Sequence, residues 1–387
     1  MSFDPQAATA AYVDALGADA LARAAAYTAG NHWLLLWGLA VCAVVTWLIV
    51  RWGIMDRVAA RLAGRGPSLR AFAMGAVYFA VAWLLFMPWS LYEEWWREKG
   101  YGRTSQPLGD FLRQELVSVV LLAVLGALFF VGVYALMRRA GRLWWIWSGA
   151  LAAVALTAFL LAAPVVIEPL FNEYKPVPAG DVRDALVDMA RKSGVPTERI
   201  FVYDGSRQSN NFAAKVYGVG ASAGIAISDV AFNGASLDEV RAVTGHEIGH
   251  YVLRHPWRKV LVLSLLSFLF FFLADRLFPR FAYVFGSRAA LSNPAGLPVL
   301  VFMAWVLGLL ALPVANAVTR TSEAAADRYS LETVGLPDAL ATALVKTAEY
   351  RNPRPGVLEE QVFYSHPSVE RRVRTAMEWK ASRTIDR

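Results

Sequence analysis

The chain has 387 residues, of which 57% are hydrophobic and only 18% are charged, and its mean hydropathy is +0.40. Soluble domains carry about 45–50% apolar and about 25% charged residues, so the composition excludes an ordinary soluble protein. The single cysteine, Cys42, excludes an intrachain disulfide framework and any zinc site built from three or four cysteines. The net charge of +7 falls mainly in loops beside apolar runs and forms no basic stripe, so we set nucleic acid aside as a partner.

Six apolar segments are each close to the roughly 20 residues that a helix needs to cross a bilayer. They lie at about 32–50, 71–92, 116–136, 143–166, 260–278 and 297–318. Tryptophan and tyrosine cluster at the ends of several segments, as in an aromatic belt, for example at Trp89, Tyr92, Trp144 and Trp147. A buried helix of a soluble protein could explain one such segment but not six, so we expect about six membrane spans.

Two polar segments interrupt and follow the spans. The sequence predicts a helical or disordered N-terminal arm at 1–31, four transmembrane helices within 32–168, a polar insert at 169–257, two transmembrane helices within 258–318 and a polar C-terminal segment at 319–387. The arm lacks the basic start and cleavage site of a signal peptide. Two spans separate the polar segments, so both lie on one side of the membrane and can fold into one domain.

The polar insert shows both helix and strand patterns. Its residue pattern predicts a helix over 181–194, a strand over 199–204 and a hairpin formed by 213–219 and 223–229. A capping-box pattern at 236–239 then begins a helix that runs through about residue 253. The predicted fold class is therefore mainly α, a polytopic α-helical membrane protein with an α+β domain.

Residues 246–250, on that capped helix, read HEIGH. Positions four apart share a helix face, so His246 and His250 can direct nitrogen atoms at one Zn²⁺ ion. Glu247 lies beside them and can take a proton from a zinc-bound water, then give it to the leaving amine. The alternative to a metal site is a surface helix on which the two histidines have no common function. The capping pattern supports the metal site, because it supplies the helix that the motif requires.

A catalytic zinc needs a third protein ligand and an open position. His255 lies five residues after the second HEIGH histidine, about 140° of helix rotation from the ligand face. We therefore expect it to lie near the metal ligands without binding the metal itself. Glu323 and Asp327 lie four residues apart after the last span. Glu323 could ligate, and Asp327 could accept the free N–H of a zinc-bound histidine. An exposed helix face, with these acids paired to Arg320 or Arg328, is equally compatible with the residues alone.

Two further residues near the C-terminus are candidates. His366 lies in the SHPS segment, where Pro367 restricts the local turn. A histidine near a zinc hydrolase site can stabilise a tetrahedral oxyanion. Arg372, six residues later, could hold Asp327 or the last helix in place.

The longer motifs resemble the integral-membrane zinc metalloproteases typified by the type 1 CAAX prenyl protease. The resemblance extends from about residue 75 to 375 and includes PWSLYEEWWREKGYGRTSQPLGDF, IEPLFNEYKPVP, SNNF, HEIGH, NAVTRTSEAAAD and SHPSVERR. It implies a zincin-like α+β metalloprotease domain, a Zn²⁺ cofactor, Glu323 as the third ligand and His366 as part of the site. It also implies that a substrate peptide adds as a strand beside Ser209, Asn210, Asn211 and Phe212, where this chain has Asn211 in place of alanine.

The arginines and the resemblance predict opposite orientations. The first and third loops hold eight arginines against Asp56, namely Arg51, Arg57, Arg61, Arg65, Arg70, Arg138, Arg139 and Arg142. The positive-inside rule places these loops in the cytoplasm and the polar domain outside. The family's active site faces the cytoplasm, and its eukaryotic members have seven spans. The sequence therefore does not decide on which side of the membrane the polar domain lies.

These observations predict a zinc endopeptidase that cleaves peptides or proteins at or near a lipid bilayer. A non-catalytic membrane module with a structural zinc is one alternative, although Glu247 would have no use there. A zinc hydrolase of lipid-linked substrates is another. The Arg-, Ala-, Leu- and Trp-rich composition suggests a bacterium, and the six spans then predict a multi-pass protein of its cytoplasmic membrane.

Overall fold

Six long apolar helices form the membrane part of the fold. The computed structural model describes residues 3–218, 220–347 and 351–385. Within these ranges, six helical segments are long and apolar enough to cross a membrane, at Ala18–Arg51, Pro67–Gly100, Leu108–Arg139, Gly141–Leu170, His255–Phe285 and Pro294–Thr333. Large apolar side chains on their outer faces are exposed, as expected of surfaces that contact lipid. The prediction of six spans is confirmed.

The helices are α1 Pro5–Asp14, α2 Ala18–Arg51, α3 Ile54–Arg61, α4 Pro67–Ser90, α5 Arg97–Gly100, α6 Leu108–Arg139, α7 Trp144–Ala162, α8 Asp181–Ser193, α9 Asp229–Gly234, α10 Leu237–Val252, α11 His255–Phe285, α12 Leu297–Thr333, α13 Pro337–Lys346, α14 Val357–Phe363 and α15 Val369–Ile385. Wider π-helical turns at Leu91–Trp96 and Ala163–Ile167 follow α4 and α7. The second turn contains Pro164, which cannot donate a backbone hydrogen bond.

The long helices extend beyond the apolar runs that identify them. Helix α2 begins at Ala18, so residues 18–31, expected in the N-terminal arm, form its first turns. Helix α12 continues unbroken through residues 318–319, where the sequence pattern places the end of the last span. It therefore carries Glu323 and Asp327 from the membrane part directly into the polar part of the molecule.

A four-stranded sheet lies in the polar insert. Its strands are β1 Tyr174–Pro176, β2 Ile200–Tyr203, β3 Ala214–Tyr217 and β4 Gly224–Ser228, in the order β1-β2-β4-β3. Strand β4 pairs parallel with β2 and antiparallel with β3, so β3 lies at the edge. All five residues of β4 are buried. The predicted hairpin is present and places its outer strand beside α10.

The core of this domain joins the sheet to α8 and α10. Leu186 of α8, Ile225 and Ile227 of β4 and Ile248 of α10 are each at most 1% exposed and belong to one cluster. Burying four such side chains contributes on the order of 1.5–3 kcal/mol each. This burial fixes the HEIGH helix against the sheet.

Candidate metal centre

The helix that carries HEIGH begins at a complete capping box. The Ser236 hydroxyl accepts a hydrogen bond from the backbone N–H of Glu239, and the Glu239 carboxylate accepts one from the backbone N–H of Ser236. Lys346 of α13 donates to the same carboxylate at 2.8 Å. These contacts satisfy the first turn of α10 and fix the position of the histidines about two turns later.

Two glycines allow α10 to lie very close to α12. A Cβ atom at Gly249 would lie 3.1 Å from the Cα atom of Ala326, and one at Gly245 would lie 2.5 Å from a methyl carbon of Val334. The Ser330 hydroxyl donates to the backbone carbonyl of Ala242 at 2.6 Å. The close approach brings the acids of α12 within reach of the histidines of α10.

His246, His250 and Glu323 converge on one point. The Nε2 atoms of the two histidines are 3.1 Å apart. The Glu323 carboxylate lies 3.2 Å from Nε2 of His246 and 3.4 Å from Nε2 of His250. One ligand atom from each residue lies within 4.8 Å of the others, so the three can hold a single metal ion. Two imidazoles and a carboxylate form a ligand set typical of catalytic zinc.

The local chemistry fits a cation at this point. The Oε2 atom of Glu323 is buried and has no hydrogen-bond partner of good geometry among the described residues. Burial lowers the pKa of His246, but the hydrogen bonds and charges of Asp327 and Glu323 outweigh burial and raise it well above its usual range. A site that binds a proton this tightly favours positive charge, which a divalent metal ion would supply.

Asp327 joins the first histidine to Arg372. Its Oδ1 atom lies 2.8 Å from Nδ1 of His246, so the carboxylate can accept the proton there and leave Nε2 free to ligate. Arg372 of α15 donates to both carboxylate oxygens at 2.7 Å. The side chains of Asp327 and Arg372 are 3% and 9% exposed. Helices α10, α12 and α15 therefore meet in one buried ion pair beside the ligands.

His366 lies on the other side of Glu323. Its Nε2 atom is 3.2 Å from Oε2 of Glu323, and its Nδ1 atom is 2.9 Å from the Ser365 hydroxyl. Burial, followed by the charge of Arg351, lowers the pKa of His366 to about 3. The imidazole is therefore neutral near pH 7. A hydrogen bond from Ser365 to Nδ1 would place the ring proton on Nε2, facing the metal point.

His255 contacts His250, although the two residues lie on different helices. Arg254 has a positive φ of 58°, which ends α10 and starts α11 at His255. The rotation expected for an unbroken helix is therefore wrong, because the chain turns at Arg254. The turn brings Nδ1 of His255 to 2.9 Å from Nδ1 of His250.

Glu247 lies on the wall of a cleft of about 310 Å³ that contains the metal point. The cleft is also lined by Phe212 just before β3, by Ala214 at the start of β3, by Leu344 of α13 and by Arg351. Burial raises the pKa of Glu247 above the usual range for glutamate, and the neighbouring histidines oppose this shift. The structure thus gathers HEIGH, Glu323 and His366 around one accessible space.

The four residues expected to contact substrate separate into two groups. Phe212 lines the metal cleft, and Asn211 lines two adjoining cavities. Asn210 points away, with its amide donating to the carbonyl of Gly102 at 2.9 Å. The Ser209 hydroxyl accepts from the backbone N–H of Asn211 at 3.2 Å. Only Phe212 of the four reaches the metal cleft.

Sequence reasoning missed residues that hold or line this site. Arg207 donates to both oxygens of Asp110 at the start of α6, at 3.0 and 2.5 Å. This pair fastens the segment before Phe212 to a membrane helix. Ser365 beside His366 and Arg351 in the cleft wall were also missed. Asp110 lies in the GDF motif, and Arg207 lies two residues before the SNNF motif. The sequence gives no signal that these two positions, nearly a hundred residues apart, form a contact.

A sequence model described as peptidase family M48 matches residues 176–380, more than half of the chain. The chain belongs to peptidase family M48. Residues 5–173 of this M48 chain match a second family, described as the CAAX prenyl protease N-terminal region with five membrane helices. The described part of that range contains four long apolar helices.

Named relatives of the M48 chain come from bacteria and eukaryotes. It is 26% identical over 281 residues to the uncharacterized metalloprotease YhfN of Bacillus subtilis, covering 71% of this chain and 66% of that protein. It is 28% identical over 295 residues to a CAAX prenyl protease 1 homolog of Arabidopsis thaliana, covering 74% and 69%. The CAAX prenyl protease 1 of Saccharomyces cerevisiae is 26% identical over 366 residues, covering 89% and 78%. The M48 chain thus spans about two thirds of the first two relatives.

The crystal structure of S. mikatae Ste24p shares the fold of the M48 chain, with a TM-score of 0.73 at 22% identity over 86% of this chain and 82% of that one. Together these matches confirm the predicted metalloprotease family and the predicted fold class. The metalloprotease family and the His-His-Glu cluster indicate a metal ion. The roles of individual residues stay predictions.

Proposed function

We propose that this protein is a zinc-dependent endopeptidase that hydrolyses peptide bonds in membrane-associated or membrane-proximal substrates. The observation that carries the proposal is the convergence of His246, His250 and Glu323 in a cleft that also contains Glu247. We assign the peptidase domain to the polar segments 169–257 and 319–387, which meet at this cleft.

We assign His246, His250 and Glu323 to hold the zinc ion. Zinc bound there supplies Lewis acidity, because it polarises a carbonyl group and lowers the pKa of water. Asp327 fixes the tautomer of His246 by accepting at Nδ1, and Arg372 holds Asp327 in that position. The protein thereby presets the direction of the ligand nitrogen.

We assign proton transfer to Glu247. Its raised pKa makes the carboxylate a stronger base than an exposed glutamate. It accepts the proton of the attacking water and delivers it to the nitrogen of the leaving amine. The fixed backbone of α10 holds Glu247 between the two histidines of HEIGH, so the base stays beside the reacting groups.

We assign oxyanion stabilisation to His366. The neutral imidazole can donate from Nε2, which faces the metal point across Glu323. A donor aimed at the position where negative charge develops stabilises the transition state more than the ground state. Ser365 supports this role because its hydroxyl holds the opposite ring nitrogen.

Strand β3 suits an extended peptide substrate. It is the edge strand of the sheet on the side of the metal cleft. A peptide can add to such an edge through backbone hydrogen bonds, which hold the chain without reading most side chains. Phe212 lines the cleft immediately before this strand. Asn210 and Arg207 do not contact the peptide in this arrangement. Their hydrogen bonds to Gly102 and Asp110 hold the segment before Phe212 against the membrane part.

An apolar cleft supports membrane-associated substrates. A cleft of about 560 Å³ is lined by Phe159 of α7, Leu263 of α11, Glu247 and Glu323. An apolar segment of a substrate can lie there while its peptide bond reaches the metal centre. Relatives are named CAAX prenyl protease 1, so a prenylated protein is one candidate. A damaged membrane protein is the candidate in a bacterium, where we place this protein.

The proposal is tested by mapping peptide products. Zinc-loaded wild type, Glu247→Gln and the control Glu173→Gln, an exposed site, are incubated in detergent with a peptide mixture and with lipid-linked amides. We expect internal cleavage of peptides by the wild type and the control, and none by Glu247→Gln. Intact peptides with cleaved lipid amides, or equal cleavage by all three proteins, would contradict the assignment.

A further inference from the structure

Three loop regions form one surface on the opposite side of the membrane helices from the metal centre. Helices α2, α6 and α11 begin on the metal side and end at this surface, while α4, α7 and α12 begin here. Apolar contacts join the regions, since α3 packs in one cluster with Leu297, and Trp144 packs in another with Leu291. We call this surface the arginine face. Its arginines are Arg51, Arg57, Arg61, Arg65, Arg70, Arg138, Arg139, Arg142, Arg276, Arg280 and Arg288.

The arginine face holds more positive charge than the whole chain. It contains eleven arginines, no lysine, and only Asp56 and Asp275 as acids between residues 51–70, 138–142 and 275–288. Its formal charge is therefore +9, against +7 for the whole protein, so all other residues sum to −2. An asymmetry of this size favours binding to a partner of opposite charge.

The protein does not supply the counter-charges itself. Ten of the eleven arginines are exposed. Among the residues that the structure describes, Arg276 alone of the eleven forms an ion pair, with Asp275 at 3.5 Å. Asp275 also accepts from the indole N–H of Trp144, and Arg57 donates to backbone carbonyls instead of an acid.

Several basic side chains on the metal side have acidic partners. Lys215 contacts Glu168 at 2.6 Å, and Lys346 contacts Glu239 at 2.8 Å. In the short connection between α5 and α6, Arg103 donates to the Glu98 carboxylate at 2.8 Å. Acids therefore balance the basic residues outside the arginine face, which sum to −2, whereas the arginine face keeps a charge of +9.

Apolar groups place the arginine face at the depth of lipid headgroups. In helix α3 Met55 is buried, while Arg57 and Arg61 are exposed. Trp52 beside it is 51% exposed, and Tyr283 is 86% exposed. An amphipathic helix with arginines outside and aromatic groups nearby is typical of a membrane interface.

We propose that the arginine face binds the anionic headgroups of the cytoplasmic leaflet, so that the metal centre lies on the opposite side of the bilayer. Arginine and lysine in short loops set the orientation of a membrane protein, whereas long polar segments cross largely regardless of charge. Both segments that build the metal domain are long. The cytoplasmic leaflet carries the anionic lipids that complement the arginines. This orientation is opposite to the one that the family resemblance implies.

Site-directed cysteines test the orientation. Cys42 is the only native cysteine, so a Cys42→Ala background contains no thiol that a maleimide could label. Ala63→Cys reports the arginine face, and Ala179→Cys reports the metal domain. Both positions are exposed loop alanines. We expect a membrane-impermeant maleimide to label Ala179→Cys in intact spheroplasts and Ala63→Cys only after lysis. The reverse pattern, or equal labelling of both before lysis, would overturn the proposal.

Lipid retention tests the partner separately. Wild type, Arg57/Arg61/Arg65→Gln and Arg57/Arg61/Arg65→Lys proteins are purified in mild detergent, and retained phosphatidylglycerol and phosphatidylethanolamine are quantified. Each arginine removed should weaken anionic-lipid binding about fivefold. The Gln variant, which lacks three arginines, should therefore bind phosphatidylglycerol about a hundredfold more weakly relative to phosphatidylethanolamine, and the Lys variant should retain it. Equal ratios in all three proteins would overturn the lipid assignment. Neither measurement depends on peptidase activity.

Discussion

Replacing Asp327 with asparagine removes one negative charge from the buried contact of α10, α12 and α15. The side chain keeps nearly the same volume, so the packing around Ala326 and Gly249 is preserved. The amide can still meet Arg372, but it cannot accept from His246 and Arg372 with the strength of a carboxylate. The substitution therefore tests whether Asp327 sets the metal affinity.

Two free energies follow from this geometry. Loss of a carboxylate that orients a metal-binding histidine lowers metal affinity about 10–100-fold, or about 1.4–2.8 kcal/mol. Leaving Arg372 buried beside a neutral amide also destabilises the fold. Breaking a buried ion pair costs about 3–5 kcal/mol, and the retained amide should keep the loss near or below the lower value.

The assay is zinc competition against a fluorescent chelator, with thermal unfolding measured on the same detergent-purified samples. Asp338→Asn is the matched control, because Asp338 forms an ion pair with Lys380 whose side chains are 51% and 36% exposed. An exposed pair contributes at most about 1 kcal/mol. We therefore expect this control to bind zinc as the wild type does.

Folded Asp327→Asn protein with wild-type zinc affinity would refute the reasoning. The contact between Asp327 and His246 would then be structural only. Equal loss of affinity in Asp338→Asn would also refute it, because that residue lies on the exposed face of α13.

Three further outcomes test the other assignments. Glu323→Ala should lose zinc at concentrations that saturate the wild type, and zinc retention would exclude Glu323 as a ligand. His366→Ala should lower kcat about 10²–10³-fold with little change in KM, whereas a change in KM alone would indicate a substrate contact instead. Asp110→Asn should raise KM more than it lowers kcat, because Arg207 then no longer fixes the segment before Phe212, and unchanged kinetics would show that this segment needs no such anchor.

Local sequence signals predicted most of the metal helix. Ser236 and Glu239 satisfy each other within one turn, so the start of α10 could be located without tertiary information. The i and i+4 spacing of His246 and His250 then fixes their common face. The same holds for β3 and β4, whose hairpin pattern lies within fifteen residues.

Long-range contacts could not be predicted from the residues alone. The residues alone are as compatible with a pair between Asp327 and Arg328 as with a role for Asp327 at a metal site. In the structure, Arg372 of α15 donates to Asp327. Arg320 likewise donates to the backbone carbonyls of Glu360 and Tyr364 rather than to an acid of its own helix. These partners lie far apart in the chain, and only packing joins them.

Backbone geometry accounts for the remaining difference at the site. Nothing in the residue pattern indicates that Arg254 adopts a left-handed conformation. The direction of the His255 side chain predicted for a continuous helix is therefore wrong. The orientation of Asn210 was also hidden, because its partner Gly102 lies in a loop between membrane helices.

A zinc titration of metal-stripped protein, with bound zinc and peptide hydrolysis measured in each sample, tests the central claim most directly. We expect hydrolysis by the wild type to rise with bound zinc and to level off at one equivalent per chain. Glu247→Gln should bind the same equivalent and hydrolyse nothing. Full zinc binding by the wild type without hydrolysis of any peptide, or hydrolysis that persists in the stripped protein, would contradict a catalytic zinc at His246, His250 and Glu323.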